Sequence, residues 1–393
     1  MRAKGILLTA ALSAAVGAIT ALAQQQPVDP QRTPGVQAGA DPKRAEFLMA
    51  NCKNPAPPPA ARGGGGAPGA PGAPGGAPAA GGGAAAAGGG GGRAAGPPPG
   101  TLADYTVTEI PGVIKAGQKW RVLWTDTGNN ADSPIGVADG VLVAQNSKSQ
   151  VLKVGLNGKV ELVATDTYTG GALAMTKDGK LYVGERALDR GIWQIQPERK
   201  LFANKKDGEP LECLGQGVLN DMVADSKGGM YMTMGGVYYT NPQGVVMGRF
   251  GVTGGNGLIL GKDDKTLYVT GRLMGAMPPA DLKVPAGAPM PTGGLVAFDV
   301  QPDGSLTNER QFTWAGGDGT AIDEAGRIYT TGNGGTWVIG TKGELLGFIP
   351  GPRGMISVAF GGPNKKTLFG VSINPVHIFA IDMIAEGIKN RPK

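Results

Sequence analysis

A hairpin pattern that recurs six times is the feature that most limits what this chain can fold into. Each copy has a stretch of alternating apolar and polar residues, a turn rich in Asp, Gly, Lys or Asn, and a second strand centred on a large apolar side chain. The copies are PIGVADGVLVAQ (134–145), ALAMTKDGKLYVGE (172–185), DMVADSKGGMYMTM (221–234), GLILGKDDKTLYVTG (257–271), GTAIDEAGRIYTTG (319–332) and SVAFGGPNKKTLFGV (357–371). A second apolar run follows each copy, so one unit holds enough sequence for four short strands.

The spacing of these units predicts a propeller. The strand centres are Leu142, Tyr182, Tyr231, Tyr268, Tyr329 and Phe369, and most of them lie about 40 residues apart, which is the length of a propeller blade. Closure into a ring also removes the exposed sheet edges of a linear array. We therefore predict an all-β fold, a six-bladed β-propeller over residues 101–393. One longer spacing reflects an insertion at 273–292, which is either a surface excursion or a lid.

The first 23 residues predict a cleavable signal peptide. Arg2 and Lys4 give a positive start, residues 6–21 are apolar, and Ala21-Leu22-Ala23 forms a small-x-small cleavage site. The apolar stretch is short for a bilayer span, and no stop-transfer sequence follows it. We therefore expect cleavage after Ala23, a periplasmic or secreted protein, and no membrane span.

Residues 24–100 form a low-complexity linker that is rich in Gly, Ala and Pro. Such a composition offers few large apolar side chains to bury, so we expect a disordered tether. A short stretch, 41–52, is compatible with one amphipathic helix. The only two cysteines are Cys52 and Cys213, and the sequence leaves open whether they pair.

The charge balance excludes one class of partner. The formal net charge is +6, but residues 1–100 carry +5 of it, which leaves +1 for the predicted propeller. A nearly neutral domain has no electrostatic footprint for nucleic acid, so we expect none as a partner. The oligomeric state is not predicted.

The common catalytic motifs are missing from the sequence. The only histidine is His377, which alternation places between apolar neighbours on a strand, so we expect a structural or solvent-facing role for it. A Ser-His-Asp arrangement needs a positioned base, and no phosphate-binding loop, zinc-protease motif or EF-hand spacing is present. Any chemistry must therefore depend on other side chains.

Asp and Asn residues recur where successive blades begin. They are Asp132, Asn220 with Asp221, Asn256, and Asp318. Since equivalent positions of a ring face one axis, we expect these side chains to converge at one mouth of the channel. Their oxygens suit Ca²⁺ or Mg²⁺ and are acceptable to Zn²⁺ or Mn²⁺. The alternative is that they only form turns.

Several of these segments resemble one known family. DSP, LNDMVADSKGGMYMT, NGLILGKDDKTLYVTGR, GDGTAIDEAGRIYTTGNGGTWVIGTKGELLGFIPGP and the end KTLFGVSINPVHIFAIDMIAEG are similar to the gluconolactonase / regucalcin / luciferin-regenerating enzyme family. The resemblance covers residues 105–388. It implies a six-bladed propeller with one divalent metal ion at the channel mouth and hydrolysis of a sugar lactone. We expect Ca²⁺ as the ion, with Mg²⁺, Zn²⁺ and Mn²⁺ as alternatives.

The resemblance also implies roles for individual residues. The metal ligands would be Asp132, Asn256 and Asp318. As a mechanistic hypothesis, Asp318 would also act as the catalytic base, a role open to a carboxylate beside the ion. The family usually has Glu at the first ligand position, whereas this chain has Asp132, which is one methylene shorter. The substrate-binding candidates are Asn220, which could instead be a further metal ligand, and Arg186 and Arg272.

The sequence thus predicts a metal-dependent lactonase of the periplasm that acts on a small-molecule sugar lactone. A non-catalytic periplasmic propeller for ligand binding or scaffolding is the alternative from a different functional class, because a fold does not dictate a function. Hydrolysis of another lactone or ester at the same metal site is a third possibility.

Overall fold

The computed structural model describes residues 35–55, 102, 105–126, 130–214, 217–251, 255–332 and 334–393. The described residues form six antiparallel sheets of four strands each, arranged as the blades of a propeller, and one two-stranded hairpin. The predicted fold class is therefore confirmed. The predicted signal peptide, residues 1–23, lies outside the described residues, as do residues 24–34 and 56–100 of the predicted linker.

The strands follow one another blade by blade. Strand β1 (Arg121–Asp126) is the first strand of the described residues. Blade 1 contains β2 (Asp132–Val137), β3 (Gly140–Gln145), β4 (Gln150–Gly155) and β5 (Val160–Ala164); blade 2 contains β6 (Ala172–Met175), β7 (Leu181–Glu185), β8 (Gly191–Gln196) and β9 (Lys200–Ala203). A hairpin of β10 (Lys205–Lys206) and β11 (Glu209–Pro210) leads to blade 3, which contains β12 (Met222–Ala224), β13 (Met230–Thr233), β14 (Val237–Thr240) and β15 (Val246–Phe250).

The remaining blades repeat this order. Blade 4 contains β16 (Leu258–Leu260), β17 (Thr266–Thr270), β18 (Leu295–Val300) and β19 (Leu306–Thr313); blade 5 contains β20 (Thr320–Ile322), β21 (Ile328–Gly332), β22 (Gly335–Ile339) and β23 (Leu345–Pro350). Blade 6 contains β24 (Met355–Gly361), β25 (Thr367–Ser372) and β26 (Val376–Asp382). The helices of the described residues are α1 (Arg44–Asn51) and the short 3₁₀ turns Ala38–Ala40, Asn146–Lys148, Leu211–Leu214 and Pro363–Lys365.

Each repeated hairpin of the sequence forms the two inner strands of one blade. The turns that join them fit their residues, as in blade 2, where Gly179 has a φ of +83° that a side chain would disfavour. Three of the aromatic strand centres, Tyr231, Tyr329 and Phe369, have no exposed surface, and Tyr268 is half-buried. Alternation therefore encodes both the hairpins and the packing between the blades.

The ring is closed by a strand from the other end of the sequence. Blade 6 has only three strands of its own, and β1 adds the fourth by pairing antiparallel with β26, with Arg121 opposite Ala380 and Asp126 opposite Val376. Hydrogen bonds of a sheet thus join the first and last strands. This closure leaves no blade incomplete.

Neighbouring inner strands touch backbone to backbone near the axis. A Cβ added to Gly136 would lie 1.8 Å from the carbonyl oxygen of Phe360 in blade 6. A Cβ on Gly257 would lie 2.1 Å from the carbonyl oxygen of Asp318. Only glycine permits this approach, which lies at the beginnings of the inner strands of blades 4 and 5 for Gly257 and near the ends of β2 and β24 for Gly136.

Residues 35–55 pack against blade 2, although they belong to the predicted linker. A disulfide joins Cys52 to Cys213, with the two Cα atoms 5.4 Å apart. Phe47 and Leu48 of α1 are buried against Leu188. These two large side chains supply the apolar surface that a Gly/Ala/Pro run lacks, and this explains why this part of the linker is folded.

The last residues run across the ring. In this C-terminal segment, residues 383–393, Gly387 forms a β-bridge with Asp323 in the first turn of blade 5. Asn390 then donates to the carbonyl oxygen of Lys262 in the first turn of blade 4.

Among the residues that the structure describes, none of the helices is long and apolar enough to cross a bilayer.

Candidate functional site

The predicted site residues lie where the innermost strands begin. Asp132 is the first residue of β2, Asp221 immediately precedes β12, and Asp318 stands two residues before β20. Because the first strands of all blades run in the same direction, these beginnings share one end of the channel, which we call the mouth. The charges of Asp132 and Asp221 both act on Asp318, which places the three carboxyl groups in one cluster.

A bulge presents Asp132 to the cluster. Asp132 is opposite Ala144 and Ile135 is opposite Leu142, so one extra residue is inserted in β2. Ser133 lies in this bulge with a φ of +50°, a left-handed conformation that a non-glycine residue adopts at a cost. Its backbone N–H donates to Oδ1 of Asp132 at 2.7 Å. The strained residue thus fixes the orientation of the neighbouring carboxylate.

The Ser133 hydroxyl joins three blades. It donates to Oδ1 of Asp221 in blade 3 at 2.9 Å and accepts from the backbone N–H of Leu173 in blade 2 at 2.8 Å. The side chain is buried. Since a buried hydroxyl with both functions in use is costly to remove, Ser133 couples Asp132 to Asp221 rigidly.

Asp221 is the most extensively bonded carboxylate of the cluster. It accepts from the backbone N–H groups of Met222 at 2.9 Å and Leu258 at 3.2 Å. It also forms an ion pair with Lys393, whose Nζ lies 2.5 Å from Oδ1. Together with the Ser133 hydroxyl these donors satisfy the carboxylate from within the protein.

Arg186 connects blade 2 to the same cluster. Its Nε donates to the carbonyl oxygen of Leu219 at 2.8 Å, and Nη2 donates to that of Asn220 at 2.7 Å. Nη2 also lies 3.5 Å from Oδ2 of Asp132. The guanidinium requires Gly171 beside it, because a Cβ there would lie 2.2 Å from Cζ. Arg186 therefore holds the beginning of blade 3 and partly balances Asp132.

Burial and mutual repulsion shift the titration of the acids. Burial raises the pKa of Asp132 to about 6, against the opposing charge of Arg186 and with a further rise from Asp221. Burial raises the pKa of Asp318 well above its usual range, and the charges of Asp132 and Asp221 add to the rise. Such shifts are typical of acids that exchange protons in a reaction or bind a cation.

Asn256 supplies an observation that points to a ligand. Its backbone is fixed, because its N–H donates to Oγ1 of Thr270 at 3.2 Å and its carbonyl oxygen accepts from the hydroxyl of Thr233. Its side-chain Oδ1 is buried without a hydrogen-bond partner. A buried amide oxygen without a donor is unfavourable, and a bound cation would satisfy it.

The donor set fits one divalent cation. Asp132, Asn256 and Asp318 offer hard oxygen atoms, which Ca²⁺ and Mg²⁺ prefer. In the described part of the chain, three acidic or sulfur ligands lie within 4.8 Å of one another only at Cys52, Glu209 and Cys213, where the two sulfurs form the disulfide. The three acids of the mouth are therefore less tightly gathered, and the unpartnered amide oxygen of Asn256 is a further donor for a cation.

The other two predicted substrate contacts differ in position. Asn220 is at the mouth, and its backbone N–H donates to Thr233 while its carbonyl oxygen accepts from Arg186. Arg272 is exposed on the loop after β17, where Nε donates to Gly293 and the guanidinium lies 5.7 Å from the centre of the Trp314 ring. The structure thus brings Arg186 into the cluster and places Arg272 on the bordering loop.

The insertion lies beside the mouth. Residues 271–294 join β17 to β18, and the carbonyl oxygen of Thr292 accepts from Gly316, two residues before Asp318. Met274 and Met277 have exposed fractions of 94% and 77%. The insertion is therefore a surface excursion that borders the site.

Three residues of the cluster were not assigned by sequence reasoning. Asp221 was expected at the mouth with the other residues that begin blades, but it was assigned neither as a metal ligand nor as a substrate contact. Ser133 follows Asp132 directly, yet no pattern announces a bulge there. Lys393 lies beyond the last repeat, so no equivalent position in another blade indicates its role.

The sequence of the propeller is similar to that of a known family and of two lactonases. The family described as "SMP-30/Gluconolactonase/LRE-like region" matches residues 141–374, which is more than half of the chain. Lactonase drp35 of Staphylococcus epidermidis is 32% identical over 118 residues, which covers 25% of this chain and 34% of that protein. The similar protein of Staphylococcus aureus is 31% identical over the same length. The match thus spans about a third of these curated relatives.

Solved structures of low identity share the fold. A gluconolactonase of Xanthomonas campestris has a TM-score of 0.56 at 19% identity and covers 73% of this chain and 99% of its own. Regucalcin of Agrobacterium tumefaciens, a calcium-binding protein, has a TM-score of 0.54 at 18% identity, with coverages of 70% and 97%. A luciferin-regenerating enzyme has a TM-score of 0.51 at 15% identity, with coverages of 70% and 99%.

Proposed function

This chain belongs to the SMP-30/gluconolactonase/LRE-like family, and we propose that it is a hydrolase that opens the ring of a small lactone at the mouth of its propeller. The observation that carries the proposal is the pairing of buried acids with the unpartnered Oδ1 of Asn256. The named relatives, two lactonases and a gluconolactonase, support this reaction class.

We assign one divalent cation, with Ca²⁺ first, to Asp132, Asn256 and Asp318. When bound, such an ion polarises an ester carbonyl and stabilises the negative charge that develops on its oxygen. The similarity to a calcium-binding regucalcin supports the choice of ion.

Asp318 is the proposed base. A carboxylate takes a proton from water as the water oxygen bonds to the lactone carbonyl carbon, and the protonated acid returns the proton to the ring oxygen as the carbon–oxygen bond breaks. The lactone and one water give a single hydroxy acid, so the reaction needs no other co-reactant. In the metal-free protein, burial and the charges of Asp132 and Asp221 raise the pKa of Asp318, and a bound cation would favour the carboxylate form that acts as the base.

Arg186 has a positioning role in this proposal. Its donors reach the carbonyl oxygens of Leu219 and Asn220 and approach Asp132. A guanidinium held in this way keeps Asp132 oriented and lowers the repulsion between the acids. Asn220 and Arg272 border the mouth and are the proposed contacts for substrate hydroxyl groups, which suits a sugar lactone.

The location of the reaction is also a proposal. The first 23 residues have the pattern of a cleavable signal peptide, which supports export to the periplasm or beyond. The disulfide between Cys52 and Cys213 agrees with an oxidising compartment.

A panel of lactones tests the proposed function. Protein freed of metal by a chelator and reloaded with Ca²⁺, Mg²⁺, Mn²⁺ or Zn²⁺ should hydrolyse glucono-1,5-lactone or a related lactone, and Asp318→Ala should lose the activity. Equal rates for Asp318→Ala and the parent would exclude this site. Bound metal without turnover of any lactone or aryl ester would favour a ligand-binding propeller instead.

A further inference from the structure

The C-terminal segment enters the channel from the end opposite the mouth. The turns between the first two strands of each blade lie at that far end, and the segment is held there. Lys365 Nζ donates to the carbonyl oxygens of Ile388 at 2.7 Å and Arg391 at 2.8 Å. Arg391 in turn donates to the carbonyl oxygen of Gly261 at 3.0 Å and pairs with Asp264 at 2.7 Å.

Two residues further on, Lys393 reaches the beginning of the inner strand of blade 3. Its Nζ lies 2.5 Å from Oδ1 of Asp221 and 3.0 Å from the carbonyl oxygen of Met222. Only 6% of the Lys393 side chain is exposed. The segment therefore carries an ammonium group through the ring to the acidic cluster.

The ammonium occupies a place that is chemically suited to a metal ion. A carboxylate oxygen and a backbone carbonyl oxygen are two of the ligand types that Ca²⁺ takes in proteins. Here both oxygens accept hydrogen bonds from Lys393 instead. A buried carboxylate needs a compensating charge. The ammonium of Lys393 supplies it, and because it is covalently part of the chain, a chelator cannot remove it.

We propose that Lys393 is the built-in cation of the channel: it fills the place of a second divalent ion at Asp221 and leaves Asp132, Asn256 and Asp318 to bind a single one. The single ion belongs to the proposed function, whereas the displacement of a second ion by Lys393 does not depend on it. Lys393 is thus a positioning residue, which acts on Asp132 through Asp221 and through Ser133, whose hydroxyl donates to Asp221 and whose backbone N–H donates to Asp132.

The test counts bound ions in full-length variants. Lys393→Met keeps most of the side-chain volume and removes the charge, Lys393→Ala removes both, and Lys389→Met alters an exposed lysine of the same segment. Each protein is stripped of metal and dialysed against Mn²⁺, and bound metal is measured per chain. We expect Lys393→Met and Lys393→Ala to bind one ion more than the parent, and Lys389→Met to match the parent.

Chemical rescue separates charge from packing. Propylammonium supplies the atoms that Lys393→Ala lacks, and we expect it to lower the affinity of the additional ion at least tenfold while leaving the parent unchanged. Thermal unfolding of metal-free Lys393→Met should occur at a lower temperature than in the parent, and Mn²⁺ should reverse the difference.

The outcomes are distinct. An increment of one ion supports the role of Lys393 even if the parent binds none, a result that would overturn only the assignment of metal to Asp132, Asn256 and Asp318. Equal ion counts in parent, Lys393→Met and Lys393→Ala would overturn the inference. It would also be overturned if metal-free Lys393→Met unfolded at the temperature of the parent while Lys393→Ala unfolded at a lower one, because Lys393 would then have a purely space-filling role.

Discussion

The hydroxyl of Ser133 in blade 1 donates a hydrogen bond to Oδ1 of Asp221 in blade 3, with blade 2 between them. The hydroxyl oxygen of Ser133 also accepts from the backbone N–H of Leu173 in that intervening blade. Ser133→Ala removes these bonds and retains a side chain in the left-handed conformation, so we expect a loss of about 2 kcal/mol in the free energy of unfolding.

Ser133→Gly is the matched control, since glycine loses the hydroxyl but adopts the observed φ of +50° without strain. Its loss should be smaller than that of Ser133→Ala by about 1 kcal/mol. Denaturant unfolding of both variants measures the difference, and equal stability of the two would show that the bulge is not strained.

Asp318→Asn should reduce lactone hydrolysis by at least about 10²-fold, because an amide cannot accept the proton of the attacking water. Asp382→Asn, on the outer side of blade 6 where Asp382 pairs with exposed Arg121, should retain the parent rate. Steady-state rates on the best lactone of the panel make the comparison. Similar losses in both variants would indicate general damage to the fold.

Asn256→Ala should weaken metal binding without destabilising the metal-free protein. The Oδ1 atom has no hydrogen-bond partner, so its removal breaks no bond within the protein. We expect at least about a tenfold loss of Ca²⁺ affinity, equivalent to about 1.4 kcal/mol. Titration calorimetry measures the affinity, and thermal unfolding in chelator checks the stability; unchanged affinity would remove Asn256 from the ligand set.

Metal-free protein should lose a stability contribution as the pH rises through the pKa of Asp132. Its folded pKa of about 6 exceeds the ordinary value of 3.8, so the folded state binds the proton more tightly than the unfolded state. The contribution is complete below pH 4 and is lost above about pH 6, at up to about 3 kcal/mol. Asp318 acts in the same direction.

The variant Asp132→Asn isolates this contribution from those of the exposed acids. Relative to the parent it should gain stability in chelator as the pH is raised from 4 to 8, and saturating Ca²⁺ should erase the gain. Unfolding temperatures of the two proteins across this range give the result. A constant difference would mean that Asp132 titrates normally.

The disulfide should stabilise the docking of residues 35–55. Paired replacement of Cys52 and Cys213 by Ala should cost about 2–4 kcal/mol, through the loss of a long cross-link. Because the backbone N–H of Ala38 donates to the carbonyl oxygen of Arg186 at 2.8 Å, the segment also touches the loop that carries Arg186. Hydrogen exchange should therefore increase in that loop, and unchanged protection would confine the effect to the segment itself.

The fold could be predicted from the sequence because its signal is local and repeated. The hairpin of 172–185, for example, carries its alternation, its Asp-Gly turn and its buried aromatic within 14 residues. Strand β1 was not assigned to blade 6, since its pairing with β26 is a contact between distant parts of the sequence. The docking of α1 was missed for the same reason.

The site could be predicted only as far as the repeats extend. Asp132, Asn256 and Asp318 occupy equivalent blade positions, so the symmetry of the ring places them at one mouth. The direction of Arg186 depends on the space left by Gly171, and the arrival of Lys393 depends on a segment outside every blade. Such details follow from packing in three dimensions and leave no periodic trace in the sequence.

The pairing of β1 with β26 determines when this protein can mature. While a chain is still attached to the ribosome and lacks residues 376–382, blade 6 lacks β26, the strand with which β1 pairs. Strand β1 must therefore wait for β26, and the ring stays open until residues 376–382 have been made.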